Sequence, residues 1–412
     1  MSWLGYLFQA LVYTGGLFTL YRYHGFYANQ SYGYGQIQIS FEYIILFIFS
    51  VVFCISLFAR RYKKPSDYFL LFYGLTVVVP YAILHDIYRV NDGRILIDIA
   101  LLLIPFFFVM LICNINLKLT QIKLVNERYL FRFFLLFSMV VLSLLICNPP
   151  SSASFSLIDS YERRHEARVV YISGGFIAYG SSMVMNGVLP LLVFLGVLNK
   201  TKVYWFIGLL FYCIFYYIYG VKAPLLYMLF AGIFGYSVRN DTVNAFYNIF
   251  IYAPIFLMVI SWIEIVFYDY SYVEDYLIRR IYYGGSFVMG AYFNYFDSNY
   301  FSWSVGLLGP GMKSISMYIG EDFLGLDGLN ANTNTFIYFL GQYGVFGYVF
   351  SIILVGILLS LFNFIGLKRK VLVFISVLYS ILILEQSATT ALVSSGILLI
   401  TLSYYFSKQK SI

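Results

Sequence analysis

Apolar runs of about 17–25 residues alternate with short polar segments along almost the whole chain. A run of this length can cross the hydrocarbon core of a bilayer as a helix, because each residue adds about 1.5 Å. The pattern predicts an all-α polytopic membrane protein with about twelve transmembrane helices. The predicted spans are Trp3–Leu20, Phe41–Ala59, Tyr68–Tyr88, Ile95–Ile115, Tyr129–Cys147, Tyr171–Leu198, Val203–Tyr219, Pro224–Val238, Phe246–Tyr268, Phe336–Phe362, Val371–Leu384 and Leu392–Phe406.

Lysine and arginine in the short connecting segments predict the orientation of these spans, because cytoplasmic loops are enriched in both residues. Sixteen of the 26 basic residues fall on one side, which is then the cytoplasmic side and holds both termini. The other ten fall on the outer side, which is usually depleted of them, and a polyanionic ligand would explain why they cluster there. These ten are Arg22, Arg89, Arg94, Arg163, Arg164, Arg168, Lys222, Arg279, Arg280 and Lys313.

Two outer segments, residues 149–170 and 269–335, are much longer than the other predicted connections. Loops of this size usually carry function. In the second loop we expect amphipathic helices lying on the membrane, because the aromatic run Tyr282–Tyr300 suits an interface that is apolar on one side and wet on the other. The sequence therefore predicts one transmembrane bundle over residues 1–412 that carries two large periplasmic loops with interfacial helices.

The composition agrees with a membrane bundle, since 61% of the residues are hydrophobic and 21% are aromatic. The net charge of +7 does not indicate a nucleic-acid partner, because most basic residues lie in short loops between apolar runs. The four cysteines lie in apolar runs and have neither the spacing of metal ligands nor that of a disulfide framework. The N-terminus lacks the basic start of a signal peptide, which predicts a retained first helix.

The most charged stretch of the chain, residues 161–168, lies in the first large loop. If it is helical, residues three and four apart share one stripe, and two arginines on that stripe repel each other. An anion between them would relieve the repulsion, and the planar guanidinium suits phosphate oxygens. The alternative is a solvated helix held by its own arginine–glutamate pairs. The residues on the stripe are Tyr161, Arg164, Arg168 and Tyr171.

Two further basic positions lie on the same predicted side. Arg279 and Arg280 are adjacent in the second large loop, and a second diarginine site strengthens the case for a phosphate ligand. Lys222 lies in a tight turn between Gly220 and Pro224, where a break in the chain would let it face a cavity. The alternative for all three is snorkelling toward lipid headgroups.

Three side chains of the charged stretch are candidates for taking a proton from a sugar hydroxyl: Glu162, His165 and Glu166. The sequence does not rank them. It contains no HExxH, no paired CxxC, no Walker loop and no Asp-x-Asp, so we predict no metal and no cofactor. If phosphates bind without a metal, arginine side chains have to balance their charge.

The stretch Asn332–Gly347 (NTNTFIYFLGQYGVFG) has a polar step that enters an apolar helix, followed by glycines. Asparagine and threonine can cap such a helix, and glycine permits close packing. With the span count, the two loops and their arginines, the chain resembles Wzy-type O-antigen (oligosaccharide repeat-unit) polymerases, which are related to the O-antigen ligases. In the ligase pattern a histidine precedes the asparagine, whereas here Thr333 stands in that place, which favours the polymerase.

The resemblance implies a membrane glycosyltransferase of the GT-C type in the bacterial inner membrane, with its active site facing the periplasm. It would transfer a growing chain from undecaprenyl diphosphate onto a new lipid-linked repeat unit and release undecaprenyl diphosphate. Implied partners are undecaprenyl-diphosphate-linked oligosaccharides, membrane lipid, a chain-length regulator and a repeat-unit flippase. Two alternatives stay open: a flippase or transporter of lipid-linked oligosaccharides, and an O-antigen ligase.

Together, the resemblance and the residue patterns assign three groups of site residues. The catalytic candidates are Glu162, His165, Glu166 and Arg164. The diphosphate-binding candidates are Arg163, Arg164, Arg168, Lys222, Arg279 and Arg280. The candidates for contact with the acceptor sugar are Asn332, Asn334, Tyr161 and Tyr282.

Overall fold

The chain is built from helices. The structure is a computed structural model that describes residues 3–88, 94–115, 125–156, 159–171, 175–296, 302–309, 312–326, 329–366 and 370–408. Within these residues the strands are one parallel pair, Val125–Asn126 and Ser407–Lys408. The chain divides into two compact units: residues 1–115, 247–360 and 380–388 form unit 1, and residues 116–246, 361–379 and 389–412 form unit 2.

Eight helical segments in the described part of the chain are long and apolar enough to cross a membrane. This finding confirms the broad prediction of an all-helical, multi-pass membrane protein. The eight segments are Phe41–Phe58, Ser66–Ile87, Ile95–Ile112, Tyr129–Cys147, Phe176–Leu198, Lys202–Tyr219, Val243–Tyr268 and Thr335–Phe364.

The remaining predicted spans have a different outcome. The helix Trp3–Leu20 has the predicted bounds but is not among the eight. The eighth and eleventh spans correspond to the shorter helices Ala223–Arg239 and Lys370–Leu382. The twelfth is divided into Ala388–Val393 and Ile397–Tyr405 by a turn, so the number twelve stays a prediction. Six basic residues used to predict the orientation lie outside the described residues: Arg89, Lys118, Lys123, Lys368, Arg369 and Lys410.

In unit 1 the first helix packs on Phe41–Phe58 and on Val79–Leu84. The phenolic hydroxyl of Tyr13 donates a hydrogen bond to the carbonyl of Leu75 at 2.5 Å, so a buried polar group is satisfied inside the unit. The helices of this unit are Trp3–Leu20, Tyr21–Gly25, Phe26–Asn29, Gln30–Tyr32, Phe41–Phe58, Ser66–Tyr73, Gly74–Val78, Val79–Leu84, His85–Ile87, Ile95–Ile112, Glu274–Tyr283, Gly284–Phe296, Ile315–Met317, Tyr318–Phe323 and most of Val243–Tyr268 and Thr335–Gly366.

The helix Gly284–Phe296 lies in the second large loop, where the sequence predicts interfacial helices, and its place at a membrane surface stays a prediction. Four of its five aromatic side chains are buried and Tyr295 is half-buried, and the helix packs against Val79–Leu84 and Tyr318–Phe323. The hydroxyl of Tyr292 donates to the carbonyl of Ala331 at 2.9 Å. An aromatic run suits a membrane interface and a protein core equally well. Here the run fills the core of unit 1.

The helix Thr335–Gly366 is broken at Gly344, which has φ 68° and ψ −160°. A residue with a side chain rarely adopts this conformation, which explains the glycine. At the break, the carbonyls of Gly341 and Gln342 accept hydrogen bonds from the backbone N–H groups of Val305 (3.1 Å) and Gly306 (2.7 Å). A glycine of this stretch therefore has a role besides packing. Gly344 breaks the helix, and carbonyl groups at the break accept hydrogen bonds from a neighbouring loop.

Unit 2 contains the strand pair and two basic side chains that bind backbone carbonyls. Arg239 donates to the carbonyl of Val197 at 2.9 Å, and Lys370 donates to that of Val238 at 3.3 Å. The helices of this unit are Glu127–Cys147, Ser160–Val170, Phe176–Met183, Val184–Val188, Leu189–Leu198, Lys202–Tyr219, Ala223–Arg239, Ile397–Tyr405 and most of Lys370–Leu382 and Ala388–Val393.

We predict that Gly341→Ala destabilises the protein by about 1–3 kcal/mol, the usual cost of overpacking a core. A Cβ at Gly341 would lie 2.6 Å from the Phe296 ring and 2.8 Å from Ile315. The thermal midpoint of unfolding in detergent measures the effect. The matched control is Gly285→Ala, because a Cβ there meets no atom within 4 Å among the described residues. Equal midpoints for the two variants would contradict the packing around Gly341.

Candidate functional site

The charged stretch forms the helix Ser160–Val170 in unit 2, as the stripe interpretation requires. We refer to it as the charged helix. Glu162 and His165 are exposed, and Arg164 is half-buried. Tyr171 lies just beyond the helix, where its hydroxyl donates to the carbonyl of Asn148 at 2.7 Å. The side chains of Tyr161 and Arg168 lie outside the described part of the structure.

Arg163 is fully buried, with 0% of its surface exposed. Its Nη1 donates to the hydroxyl of Ser154 at 2.6 Å and to the carbonyl of the same residue. Its Nη2 donates to the carbonyl of Ser156 at 2.6 Å, and its guanidinium lies 5.3 Å from the centre of the Tyr216 ring. This geometry favours a structural role, because both terminal nitrogens of the guanidinium already fasten the preceding loop to the charged helix and the buried side chain is not accessible to a ligand.

Glu166 binds the start of the same loop. It accepts hydrogen bonds from the backbone N–H of Ser151 at 2.9 Å, from that of Ser152 at 2.8 Å and from the Ser151 hydroxyl. These bonds stabilise the ionised carboxylate and lower its pKa to about 2. Such a weakly basic carboxylate is a poor acceptor for a hydroxyl proton near neutral pH. Glu162 and His165 remain the candidates on this helix.

Lys222 is exposed and lies in a turn that contacts the charged helix. A Cβ on Gly220 would lie 2.7 Å from the carbonyl oxygen of Ser160, the first residue of that helix. The carbonyl of Lys222 accepts the N–H of Leu225 at 3.1 Å as the next helix begins. Unit 2 therefore brings together the Lys222 turn and the charged helix, which are far apart in sequence.

The second diarginine site lies on the helix Glu274–Tyr283 in unit 1. We refer to this element as the diarginine helix. Arg279 is half-buried, its Nε lies 2.9 Å from a carboxylate oxygen of Asp275, and its guanidinium stacks 5.4 Å from the centre of the Tyr32 ring. Arg280 is exposed. The helix thus offers one cation held in place and one that faces outward.

The same helix carries a buried polar network that the sequence reasoning missed. Glu274 is only 2% exposed, and one of its oxygens contacts Nδ1 of His24. Its other oxygen accepts a hydrogen bond from the Tyr283 hydroxyl at 2.9 Å. The Glu274 carboxylate raises the pKa of His24 above its usual value of 6.5, against the opposing effect of burial. The sequence offers only a weak signal for this network, a glutamate that begins a helix with a pair of tyrosines at its end.

A second carboxylate extends this network. Glu264 accepts hydrogen bonds from the Ser271 hydroxyl at 2.7 Å and from the N–H of Val273 at 3.0 Å. Ser271 in turn accepts the N–H of Glu274 at 2.9 Å. These bonds fix the start of the diarginine helix, and the position of the Glu274 carboxylate with it.

The candidates for sugar contact divide into one exposed and two buried side chains. Asn332 is exposed. Asn334 is buried, and its carbonyl oxygen caps the next helix by accepting from Phe336 at 3.2 Å and Ile337 at 3.3 Å. Tyr282 is buried with its ring centre 6.2 Å from that of Tyr13. The geometry therefore favours helix capping for Asn334 and core packing for Tyr282.

The predicted site residues fall in two groups. Arg279, Arg280, Tyr282, Asn332 and Asn334 belong to unit 1, with His24 and Glu274. The residues of the charged helix and Lys222 belong to unit 2. The two cationic sites predicted from the sequence are thus built by separate compact parts of the chain.

We predict a pH-dependent contribution of the His24–Glu274 pair to stability. Because the pKa of His24 is raised in the folded protein, the stabilisation is complete below pH 6.5 and is lost as the pH rises through the raised pKa. Glu274→Gln should lower the stability by about 1.5–3 kcal/mol at acid pH and by less at alkaline pH. Thermal midpoints of unfolding, determined for wild type and Glu274→Gln at several pH values from acid to alkaline, measure this difference. His165→Gln, which removes an exposed histidine, is the control. A difference between wild type and Glu274→Gln that does not change with pH would contradict the pairing.

Comparison with known proteins identified no relative of this chain. No protein-family model matches the chain, and neither a curated protein nor a solved structure matches it.

Proposed function

We propose that the chain is a membrane glycosyltransferase of the GT-C type that polymerises oligosaccharide units carried on undecaprenyl diphosphate. Three features support this proposal: the multi-pass helical architecture, the arginines in two long segments between spans, and the resemblance of the stretch 332–347 to Wzy-type polymerases. In this proposal the protein lies in the bacterial inner membrane and works at the periplasmic face. A chain-length regulator and a repeat-unit flippase are its partners.

The observation that carries the proposal is the composition of the diarginine helix. It holds Arg279 and Arg280 on the same element as Glu274, whose carboxylate contacts His24. A polymerase of this kind needs cations for the lipid diphosphate and a base for the acceptor hydroxyl. Both kinds of group belong to one compact unit.

The reaction would proceed by attack of an acceptor hydroxyl oxygen on the anomeric carbon of the donor. A new C–O bond forms, the bond between the anomeric carbon and the diphosphate oxygen breaks, and undecaprenyl diphosphate leaves. In this proposal Nε2 of His24 accepts the proton of the acceptor hydroxyl. Glu274 holds Nδ1, as an orienting carboxylate does in other carboxylate–histidine pairs, and the described residues form no hydrogen bond to Nε2.

Arg280 and Arg279 would both stabilise the negative charge of the leaving diphosphate. Arg280 is exposed, and no carboxylate lies within ion-pair distance of it among the described residues. Arg279 is positioned by Asp275 and by the Tyr32 ring. A preorganised cation stabilises the negative charge that develops on the departing diphosphate without further rearrangement.

The charged helix would bind the diphosphate of the second lipid-linked substrate. Arg164, Arg168 and Lys222 are the cations assigned to it, whereas Arg163 positions the helix through its hydrogen bonds to the preceding loop. Glu162 and His165 are exposed on this helix and are the competing bases.

The first test is a gel of lipopolysaccharide from a strain that lacks this gene, with and without the gene restored. We expect the ladder to collapse to core plus one repeat unit and to return on complementation. Restoring the gene as Arg164→Ala or Arg280→Ala should also abolish long chains, provided that the variant protein is expressed at the wild-type level. Loss of all capped core would indicate a flippase or a ligase instead, and unchanged chain length would remove the tested arginine from the mechanism.

The two histidines provide a matched comparison for the base. His24→Gln should lower polymerisation by about 10²–10⁴-fold, the usual contribution of general-base catalysis. His165→Gln should have a much smaller effect, since no buried carboxylate holds that side chain among the described residues. Chain length in the gel and the initial rate with purified lipid-linked units measure both variants. The opposite ranking would place the base on the charged helix.

A further inference from the structure

A cavity of about 540 Å³ lies in unit 1 where the chain turns between the helices Phe41–Phe58 and Ser66–Tyr73. Its volume is in the range of small-molecule binding sites, about 300–1,000 Å³. Most of its lining is ionisable, which is unusual in a chain that is only 11% charged. The polar lining residues are Arg60, Arg61, Lys63, Lys64, Asp67 and Asn114.

Asp67, the acidic side chain of the lining, already accepts hydrogen bonds from groups of the turn. It is 2% exposed. One oxygen accepts from Nε and Nη2 of Arg60 at 3.0 and 2.8 Å. The other accepts from the backbone N–H groups of Lys63 at 2.8 Å and Lys64 at 2.9 Å. The carboxylate therefore neutralises Arg60 and has little capacity left for another cation.

The other cations of the cavity have no carboxylate to balance them. Arg61 and Lys63 form no ion pair within the described part of the chain, and both are exposed. Lys64 contacts the side-chain oxygen of Asn114 and lies 3.5 Å from the carbonyl of Cys113, and both acceptors are uncharged. An anion in the cavity would meet three positive charges without a competing carboxylate.

The backbone that carries these cations is fixed before any ligand binds. Besides the bonds to Asp67, the N–H of Asp67 donates to the carbonyl of Lys64 at 2.9 Å. The ring of Tyr62 packs 5.2 Å from Tyr68 and 6.0 Å from Tyr247, centre to centre. A turn held in this way loses little conformational entropy when it binds a ligand.

The cavity lies at the ends of three candidate spans. Phe41–Phe58 ends immediately before the turn, Ser66–Ile87 begins immediately after it, and Asn114 follows Ile95–Ile112. A site at the end of a span is level with lipid headgroups, and basic pockets between membrane helices bind acidic headgroups. The same chemistry would hold a soluble phosphate compound that approaches from the water.

We propose that this cavity is a binding site for a phosphate group, carried either on an acidic phospholipid or on a soluble compound. Arg61, Lys63 and Lys64 would neutralise the phosphate, while Arg60 and Asp67 keep the turn in shape. The site is independent of the proposed transfer reaction, because none of its residues takes part in that mechanism.

The test uses the full-length protein in detergent and native mass spectrometry with phosphatidylglycerol or phosphatidylcholine as the probe. Wild type should retain phosphatidylglycerol in preference to phosphatidylcholine. Arg61→Gln with Lys63→Gln should weaken this retention roughly tenfold or more, since each basic side chain near an acidic lipid surface contributes about 1 kcal/mol. Arg61→Lys keeps the charge and should keep most of the binding.

Two further arms make the result decisive. The control Lys200→Gln with Lys202→Gln removes two exposed cations from another short loop on the same predicted side of the membrane, and it should leave retention unchanged. Added inorganic phosphate distinguishes the two sources of the ligand. If it displaces the lipid, or binds where the lipid does not, the site accepts a soluble phosphate, and if it fails to displace a retained lipid, the ligand is the headgroup.

Three results would overturn the proposal. The first is that wild type shows no preference for phosphatidylglycerol and binds no phosphate. The second is that the cavity variant retains lipid as wild type does while its thermal midpoint is unchanged. The third is an equal loss in the Lys200 and Lys202 control, which would attribute the retention to general surface charge.

Discussion

Charged groups inside the protein have to find their partners inside the protein, since neither lipid nor a packed core supplies any. Asp67 and Glu274 are each about 2% exposed, and each contacts a basic side chain together with neutral donors. Arg163 is the reverse case, a buried cation whose donors point at serine oxygens. Asp67 and Arg163 each fasten an irregular segment to a helix, whereas Glu274 joins two helices.

This constraint separates the charges that the fold uses from those available to a ligand. Arg163 and Glu166 are three residues apart on the charged helix, and both form hydrogen bonds to the loop before it. Arg280 and Lys222, by contrast, are exposed. The cations predicted from the sequence as one set thus include structural members and exposed members, and only the exposed ones can neutralise an incoming phosphate without weakening the fold.

The parts of the fold that depend on local pattern were predictable from the sequence. Hydropathy alone gives the span Tyr129–Cys147 with the bounds that the structure shows, because its length and composition are properties of one contiguous segment. The helical form of the charged stretch was assumed in the argument for a shared stripe, and the structure shows a helix there. The packing of Gly284–Phe296 was not predictable in this way, since an aromatic run does not say whether lipid or protein covers its rings.

The candidate site was predictable only as a set of residue types. His24 and Glu274 are separated by most of the chain, and their contact depends on how distant helices pack, which no local periodicity encodes. The conformation of the turn between Arg60 and Asp67 was not predictable either. A short loop has many possible conformations, and here the hydrogen bonds to the buried Asp67 carboxylate select one. Ranking the bases required hydrogen bonds that only the three-dimensional structure contains.

The break at Gly344 has a consequence for how this protein can change over evolutionary time. The loop around Val305 is anchored there through main-chain N–H and C=O groups, which are the same whatever side chains the loop carries. Its anchorage is therefore insensitive to most of the side chains that the loop carries. Two glycines are hard to replace: Gly344, which breaks the helix, and Gly306 in the loop, which has φ 82°. Such a loop can acquire new surface chemistry by ordinary substitution while its attachment to the bundle stays the same.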